Sequence, residues 1–158
     1  MSVPQTTTGD ELLEIIAFRL HSQEFCVRTT SIREIRGWAP VTPLPHAPYD
    51  VIGVMNLRGT VIPIVDLAVK LGMPNTEVNE RSAIVVTDIK GMTVGLLVDR
   101  VSDIMTIPSS RLQPVPMAAG SSSAFSDGII AHDSGMICFL NLERMFALDD
   151  ADDWGMVA

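Results

Sequence analysis

Three histidines are the side chains best suited to bind a metal ion, and their spacing argues against that role. His21, His46 and His132 stand in a predicted hairpin turn, a proline-rich loop and a second predicted turn. None of them has another histidine or a cysteine three or four residues away, and the chain contains no Cys-x-x-Cys pair. Protein zinc sites usually draw their ligands from such close spacings. We therefore predict no metal site and no cofactor.

Cys26 and Cys138 could in principle form a disulfide or act as nucleophiles. Each lies between apolar neighbours, as buried strand residues do, and in a reducing compartment such cysteines are usually small core residues. The sequence has no glycine-rich phosphate loop, nucleophile elbow or dinucleotide fingerprint. Nothing in it assembles a nucleophile, a base and an oxyanion site. We therefore predict that the protein is not an enzyme.

The composition argues against further classes of function. Hydrophobic residues make up 47 % of the 158 residues, which is ample for a buried core. The net charge is −8 and no basic stripe is present, which argues against nucleic acid and anionic membranes as partners. No apolar run approaches the ~18–20 residues that cross a bilayer, and the polar N-terminus does not resemble a secretory signal. These features predict a soluble cytoplasmic protein with protein partners.

The most informative segment is Gly53–Leu67, where two apolar runs flank the tetrad Asn56-Leu57-Arg58-Gly59. Apolar runs on either side of a short, glycine-containing turn predict a β-hairpin. The same pattern returns without a gap in Gly128–Leu142, so one supersecondary unit is predicted to occur twice. The copies differ most at the tip, where Leu57-Arg58 corresponds to His132-Asp133. The unshared Arg58 is therefore the first candidate for function.

A helix-start signal follows each hairpin. Asp66 is the predicted N-cap of a short helix over Leu67–Leu71, and Asn141 is the predicted cap of a helix over Leu142–Leu148. Pro63 lies within the second arm of the first hairpin and cannot donate a ladder hydrogen bond. Its presence predicts an edge strand or a bulge.

The rest of the chain has the pattern of short strands separated by turns. Alternating apolar residues predict a first hairpin around His21, although Leu12–Ile16 also fits a helical turn and periodicity alone leaves that choice open. A strand or turn is predicted at Ile32–Gly37, and strands at Ala83–Val86, Met92–Val101 and Ile104–Ile107. Many short strands, frequent Gly and Pro residues and only short helices predict an all-β protein.

The repeat favours two small β units over one large sandwich. We expect a flexible N-terminal tail at 1–12, a first β-barrel subdomain at 13–80, a second at 81–148 and an acidic C-terminal tail at 149–158. The polar segment Asn75–Glu80 is the predicted crossing between the subdomains. Units of ~60–70 residues are marginally stable alone, so the two should pack together and leave a groove.

Taken together, these segments resemble the CheW family of chemotaxis coupling proteins. The matching segments, in the family's order, are Phe18-x-Leu20, Ile32–Ile35, Leu44-Pro-x-Ala-Pro48, Gly53–Leu67, Gly95–Val101, Gly128 and Leu140–Met145. The combination Asn-Leu-Arg-Gly followed by Ile-Pro-Ile-Val-Asp-Leu is the specific part of the match. The resemblance implies two SH3-like five-stranded β-barrels packed side by side, with short helices after the signature hairpins. It also implies a strand at Ile15–Leu20.

The resemblance implies a function as well. The chain would be a non-enzymatic scaffold that couples chemoreceptors to the chemotaxis histidine kinase and transmits receptor control to that kinase. Its partners would be the signalling tip of a methyl-accepting chemotaxis protein, the kinase regulatory domain and further copies in arrays at the inner face of the membrane. The alternative is a small-ligand-binding or regulatory β-barrel domain in another signalling pathway. An aromatic content of 5 % counts against a ligand pocket.

Eight residues are candidates for receptor or kinase binding: Ile32, Glu34, Asn56, Leu57, Arg58, Gly59, Val98 and Val101. Arg58 taken alone would be a solvated turn residue, but a hairpin tip in a family motif favours a binding role. Glu34 could simply neutralise the arginines on either side of it. We hypothesise instead that Glu34 pairs with Arg58 and fixes the turn.

The remaining candidates concern the groove between the two units. Val98 and Val101 are apolar strand residues and have the pattern of core residues. They could equally line the groove together with Ile32, where the apolar face of a receptor helix would lie. We therefore expect two separate partner surfaces, one at the hairpin tip and one in the groove.

Overall fold

The computed structural model describes residues 11–115, 125–132 and 135–147, and this part of the chain is mostly β-strand. The strands are β1 (Leu12–Leu20), β2 (Gln23–Arg28), β3 (Ile32–Gly37), β4 (Val51–Leu57), β5 (Thr60–Asp66), β6 (Ala83–Ile89), β7 (Met92–Val98), β8 (Arg100–Pro108), β9 (Leu112–Gln113), β10 (Ser126–His132) and β11 (Gly135–Leu140). Helices α1 (Leu67–Lys70) and α2 (Leu142–Ala147) follow β5 and β11. The all-β prediction is confirmed, and Leu12–Ile16 is strand rather than helix.

Neither α1 nor α2 comes close to the length of a transmembrane span, and no other helix in these ranges does. The predicted tail at 149–158 and most of the predicted tail at 1–12 lie outside the described residues.

The strands form two mixed sheets that define two units. The central unit is the five-stranded sheet with the order β3-β6-β7-β5-β4, and the terminal unit is the six-stranded sheet with the order β9-β10-β11-β2-β1-β8. The second arm of each signature hairpin pairs in parallel with another strand, β5 with β7 and β11 with β2. The hairpins also share one register, with a bulge just before Gly53 in one and Gly128 in the other. The predicted repeat is confirmed.

The predicted boundary at residue 80 does not follow the sheets, so the division into 13–80 and 81–148 is corrected here. Strands β1 and β2 come from the first half of the chain and lie in the terminal unit, whereas β6 and β7 lie in the central unit. Asn75–Glu80 therefore connects α1 to β6 within one unit. The terminal unit has the topology of the central unit, but its last hairpin is supplied by the N-terminal part of the chain.

Gly53 and Gly128 occupy equivalent positions where each sheet closes on itself. Thr42 forms two backbone hydrogen bonds with Val54, of 2.9 and 2.8 Å, and brings the segment after β3 onto the edge of β4. Strand β9 continues the path of β8 and pairs in the same way with β10. A Cβ on Gly53 would clash with the carbonyl oxygen of Thr42, and one on Gly128 would lie 2.5 Å from that of Gln113. If β8 and β9 count as one broken strand, both units have the five strands predicted.

We expect Gly53→Ala and Gly128→Ala each to lower the free energy of unfolding by ~1–3 kcal/mol, because the added methyl group must displace a closing segment. Gly37 supplies the matched control, since a Cβ there would meet no atom within 4 Å. Gly37→Ala should therefore be neutral or slightly stabilising. Urea denaturation of the three variants measures the difference. Equal urea midpoints for Gly53→Ala and Gly37→Ala would contradict the close approach of Thr42 to Gly53.

The predicted strand Met92–Val101 is in fact two strands, and the predicted Ile104–Ile107 is part of the second. Strand β7 ends just before Asp99 and β8 begins just after it, so the chain passes from the central to the terminal unit at this residue. The backbone N–H of Asp99 donates to the carbonyl oxygen of Arg19 at 3.0 Å, and its carboxylate accepts the N–H of His21. No Gly or Pro marks this bend, so the sequence pattern did not predict it.

Strand β5 is paired on both sides, so the edge predicted from Pro63 is wrong, whereas the hairpin does contain a bulge, between Val51 and Gly53 on the partner strand. Strand β5 pairs with β4, where Pro63 lies opposite Val54, and with β7 from Ile64 onward. Proline cannot donate a ladder hydrogen bond. It is accommodated because the parallel ladder begins only at the next residue.

Both predicted helix caps are confirmed. The side-chain oxygen of Asp66 accepts the N–H of Ala68 at 3.2 Å, and that of Asn141 accepts the N–H of Arg144 at 2.9 Å. Each cap satisfies one of the donors that the first turn of a helix leaves unpaired. The end predicted for the second helix, Leu148, lies outside the described residues.

A large apolar core joins the two units. Phe18 of the terminal unit and Val98 of the central unit belong to one buried cluster, which is separate from the smaller core inside each sheet. An ion pair is buried with it: Lys70 Nζ lies 3.3 Å from Asp50 Oδ2, and each side chain is only 3 % exposed. Lys70 Nζ also lies 4.6 Å from the ring centroid of Phe146, so the pair links α1 to α2.

Candidate protein-binding site

Arg58 and Gly59 form the tip of the hairpin in the central unit. Both have positive φ, 51° and 90°, as in a type I′ turn. This left-handed conformation is uncommon for a residue that carries a side chain. Asn56 supports it, because its side-chain oxygen accepts the N–H of Gly59 at 2.8 Å. The backbone therefore holds Arg58 in one conformation at the tip.

Glu34, on β3, lies beside Arg58 and accepts two hydrogen bonds from it. Arg58 Nη1 donates to Glu34 Oε2 at 3.1 Å, and Nη2 donates to Oε1. Arg36 Nη1 is 3.9 Å from the same carboxylate. The Arg58 side chain is 70 % exposed, whereas that of Glu34 is 23 % exposed. The hypothesised pair is confirmed, and it presents a guanidinium group in fixed orientation at the surface.

The pair shifts the pKa of both groups. The hydrogen bonds from Arg58 hold the pKa of the Glu34 carboxyl below its ordinary value, and the charges of Arg58, Arg36 and Arg33 act in the same direction. Hydrogen bonding to Glu34 raises the pKa of Arg58. Because the folded-state pKa of Glu34 is depressed, the pair stabilises the fold at neutral pH. That contribution is lost as the pH falls through the lowered value, and it is small for groups accessible to solvent.

An NMR titration of the Glu34 carboxyl carbon tests this pairing in solution. In the unmodified protein the midpoint is expected below the ordinary glutamate value, and Arg58→Gln should move it upward because the donor and the charge are both lost. Arg111→Gln is the matched control, since Arg111 lies in the terminal unit and donates to the carbonyl oxygen of Ala131. An unchanged titration midpoint of Glu34 in Arg58→Gln would show that the two side chains do not pair in solution.

A shallow pocket of about 350 Å³ lies beside the pair. Leu57 and Ile62 form its apolar part and are 8 % and 1 % exposed. Arg33 and Thr93 lie at its polar rim and are joined by a hydrogen bond of 3.2 Å. An apolar floor with fixed charges around it suits the side chains of a protein partner. The site thus brings together Glu34, Asn56, Leu57, Arg58 and Gly59 of the predicted set.

The three predicted groove residues do not share one environment. Val98 is fully buried in the core between the units, which confirms the core pattern of its sequence and contradicts the alternative role as a groove liner. Its strand lies between β5 and β6, and core packing covers the side chain. Ile32 and Val101 are half-buried against the same core. Val101 lines a groove of about 500 Å³ between β3 and β8, and Val98 does not.

Ile35 and Val61 are two exposed apolar residues that the sequence analysis did not single out. Ile35 is 39 % exposed and lines the groove with Val101, whereas Val61 is 62 % exposed and lies opposite Asn56 near the hairpin tip. Burial alternates regularly along β3, and the charged Glu34 lies on the more buried face while the apolar Ile35 lies on the exposed face. Residue type along the strand therefore gave no signal for the exposure of Ile35.

Known proteins resemble this chain in both sequence and fold. The family model described as CheW-like domain matches residues 14–150. The chain is 47 % identical to a chemotaxis protein CheW of Rhizobium meliloti over 88 % of this chain and 90 % of the relative. It is 45 % identical to a probable chemotaxis protein CheW of Rhizobium etli over 96 % and 97 % of the two chains.

The structural comparison agrees. A crystal structure of the scaffolding protein TtCheW from Thermoanaerobacter tengcongensis superposes with a TM-score of 0.80 at 27 % identity, covering 88 % of this chain and 95 % of the other. Both the family match and the fold extend across the two units rather than one of them. The chain therefore belongs to the CheW-like domain family, in which the structural match TtCheW is named a scaffolding protein.

Proposed function

We propose that this protein couples chemoreceptors to the chemotaxis histidine kinase and transmits receptor control of kinase activity. It would act in the cytoplasm at the inner face of the membrane, without inserting into it. Its partners would be the signalling tip of a methyl-accepting chemotaxis protein and the regulatory domain of the kinase. The names of its relatives support a role in chemotaxis.

The observation that carries the proposal is the Glu34–Arg58 pair. It fixes an exposed guanidinium group at the tip of the first signature hairpin. The sequence of this hairpin is the most specific part of the family match. Arginine is enriched among the residues that dominate binding energies at protein interfaces. A guanidinium group held in one orientation also loses less conformational entropy when a partner binds. We assign the kinase regulatory domain to this tip.

The groove between β3 and β8 supplies a second surface. Ile35 and Val101 line it with apolar side chains, and Arg36 and Arg100 add charge at its sides. An amphipathic helix of a receptor tip would place its apolar face against such residues. Each contact can be weak, because neighbouring copies in an array raise the effective concentration of every partner.

Two binding titrations test this division of surfaces. Ile35→Glu is expected to weaken binding to a receptor-tip fragment by about tenfold or more while leaving binding to the kinase regulatory domain nearly unchanged. Ile104→Glu is the matched control, because Ile104 is also an exposed apolar strand residue, 57 % accessible, but lies in the terminal unit outside the groove. Equal losses toward both partners with Ile35→Glu would contradict the assignment, and absence of binding to either partner would contradict the proposed function.

A further inference from the structure

A polar pocket of about 470 Å³ lies where the chain passes between the two units, away from the hairpin tip. Arg19 from the end of β1, Arg81 from the segment before β6 and Arg100 from the start of β8 all line it. The chain as a whole carries a net charge of −8 with only 11 basic residues. Three guanidinium groups around one open pocket are therefore a local exception to the acidic character of the protein.

Two of these arginines have no partner within the described part of the chain. Six of the nine arginines donate to, or form an ion pair with, a protein oxygen atom. The side chains of Arg28, Arg81 and Arg100 do neither, and the last two share this pocket. Arg19 is already engaged, since it lies 4.0 Å from Glu24 and donates to the carbonyl oxygen of Ser22.

Carboxylates also line the pocket, and they do not cancel these charges. Asp99 accepts the backbone N–H of His21, so part of its hydrogen-bonding capacity is used. Glu77 lines the wall without forming an ion pair to either of the free arginines. Counting Arg19, Arg81 and Arg100 against Glu77 and Asp99 leaves one positive charge in excess, and it resides on side chains with free donors.

The backbone around the pocket is fixed before any ligand arrives. The side chain of Asn79 accepts the N–H of Arg81 at 2.7 Å, and Ser82 Oγ accepts the N–H of Asn79 at 2.9 Å. His21 also lines the pocket, and its Nε2 donates to the carbonyl oxygen of Pro74 at 2.7 Å, because a carbonyl oxygen only accepts. These contacts tie the β1–β2 turn of the terminal unit to the loop before β6 of the central unit.

We propose that this pocket is an oxyanion site, in which Arg81 and Arg100 bind a phosphate-like or carboxylate ligand at the junction of the two units. Planar guanidinium groups present paired donors that match the oxygen atoms of such anions. The pocket is large enough for a small oxyanion or for two adjacent carboxylate side chains. The proposal goes beyond coupling of receptors to the kinase. Arg81 and Arg100 also border the groove between β3 and β8, so the site adjoins the surface proposed for a receptor helix.

The test uses the full chain in solution, with inorganic phosphate as the first probe and a short peptide containing two adjacent glutamates as the second. Titrations are followed by NMR through the arginine Nε–Hε signals at constant ionic strength. The signals of Arg81 and Arg100 are expected to shift saturably. The double variant Arg81→Gln/Arg100→Gln should weaken binding by about tenfold or more.

Arg28→Gln is the matched control, because Arg28 is also unpartnered but lies outside the pocket. It should leave the affinity within about twofold, and thermal unfolding verifies that every variant is folded. Saturation by phosphate alone assigns a free anion as the ligand, and tighter binding of the peptide assigns carboxylates of a protein. No saturable shift with either probe, or equal losses in Arg28→Gln and the double variant, would overturn the site.

Discussion

Val98→Glu is expected to unfold the protein. Val98 is fully buried in the core that the two units share, and Lys70, which is buried with that core, is already paired with Asp50. A carboxylate there must either remain charged without a partner or take up a proton. Both outcomes cost several kcal/mol, a large part of the ~5–15 kcal/mol that stabilises a typical domain. Circular dichroism should therefore show loss of the cooperative transition.

Ile104→Glu supplies the control, because the same charge enters at a position that is 57 % exposed. That variant is expected to keep its fold and a melting temperature close to the unmodified value. A folded Val98→Glu protein with the stability of Ile104→Glu would contradict the shared core. It would also restore Val98 as a surface residue able to contact a partner.

The second large effect concerns Arg58→Glu. This variant places two carboxylates together at the hairpin tip, where Glu34 now holds a guanidinium group in position. The fold should persist because both side chains are accessible to solvent. Binding to the kinase regulatory domain, and receptor-dependent kinase activity, should fall by about tenfold or more. Isothermal titration and a coupled phosphorylation assay measure the two losses.

A charge-swapped double variant separates two explanations for that loss. Glu34→Arg/Arg58→Glu restores opposite charges at the tip but moves the guanidinium group onto β3. If the partner contacts the guanidinium group of Arg58 directly, the swap should not rescue binding. Full rescue by the swap would instead mean that the pair acts only by fixing the turn. Arg111→Glu, in the terminal unit, controls for the change in net charge.

The hairpin site could be predicted because its signals are local in sequence. Apolar arms and a glycine-containing tetrad define the turn, and the repeat isolated Arg58 as the residue that the second hairpin lacks. The Glu34–Arg58 pair was a hypothesis without a local signal, and the geometry confirmed it. The caps at Asp66 and Asn141 were likewise predicted from residue type and position alone.

The division into units could not be predicted, because it depends on pairings distant in sequence. Ile137 lies opposite Glu24 in the parallel ladder that places the N-terminal hairpin in the terminal unit. Nothing in either strand's own sequence specifies that neighbour. The choice for Val98 between core and groove stayed open for a related reason, since an apolar strand residue has the same pattern whether its face meets a groove or a second unit.

Reconstitution of kinase control tests the central claim most directly. Membranes containing a chemoreceptor are combined with the histidine kinase, with and without this protein, and autophosphorylation is measured before and after addition of an attractant. Coupling predicts that kinase activity rises when the protein is present, falls again when attractant is added, and stays at the basal level with Arg58→Glu. Kinase activity that responds to receptor and attractant equally well without this protein would contradict the proposed function.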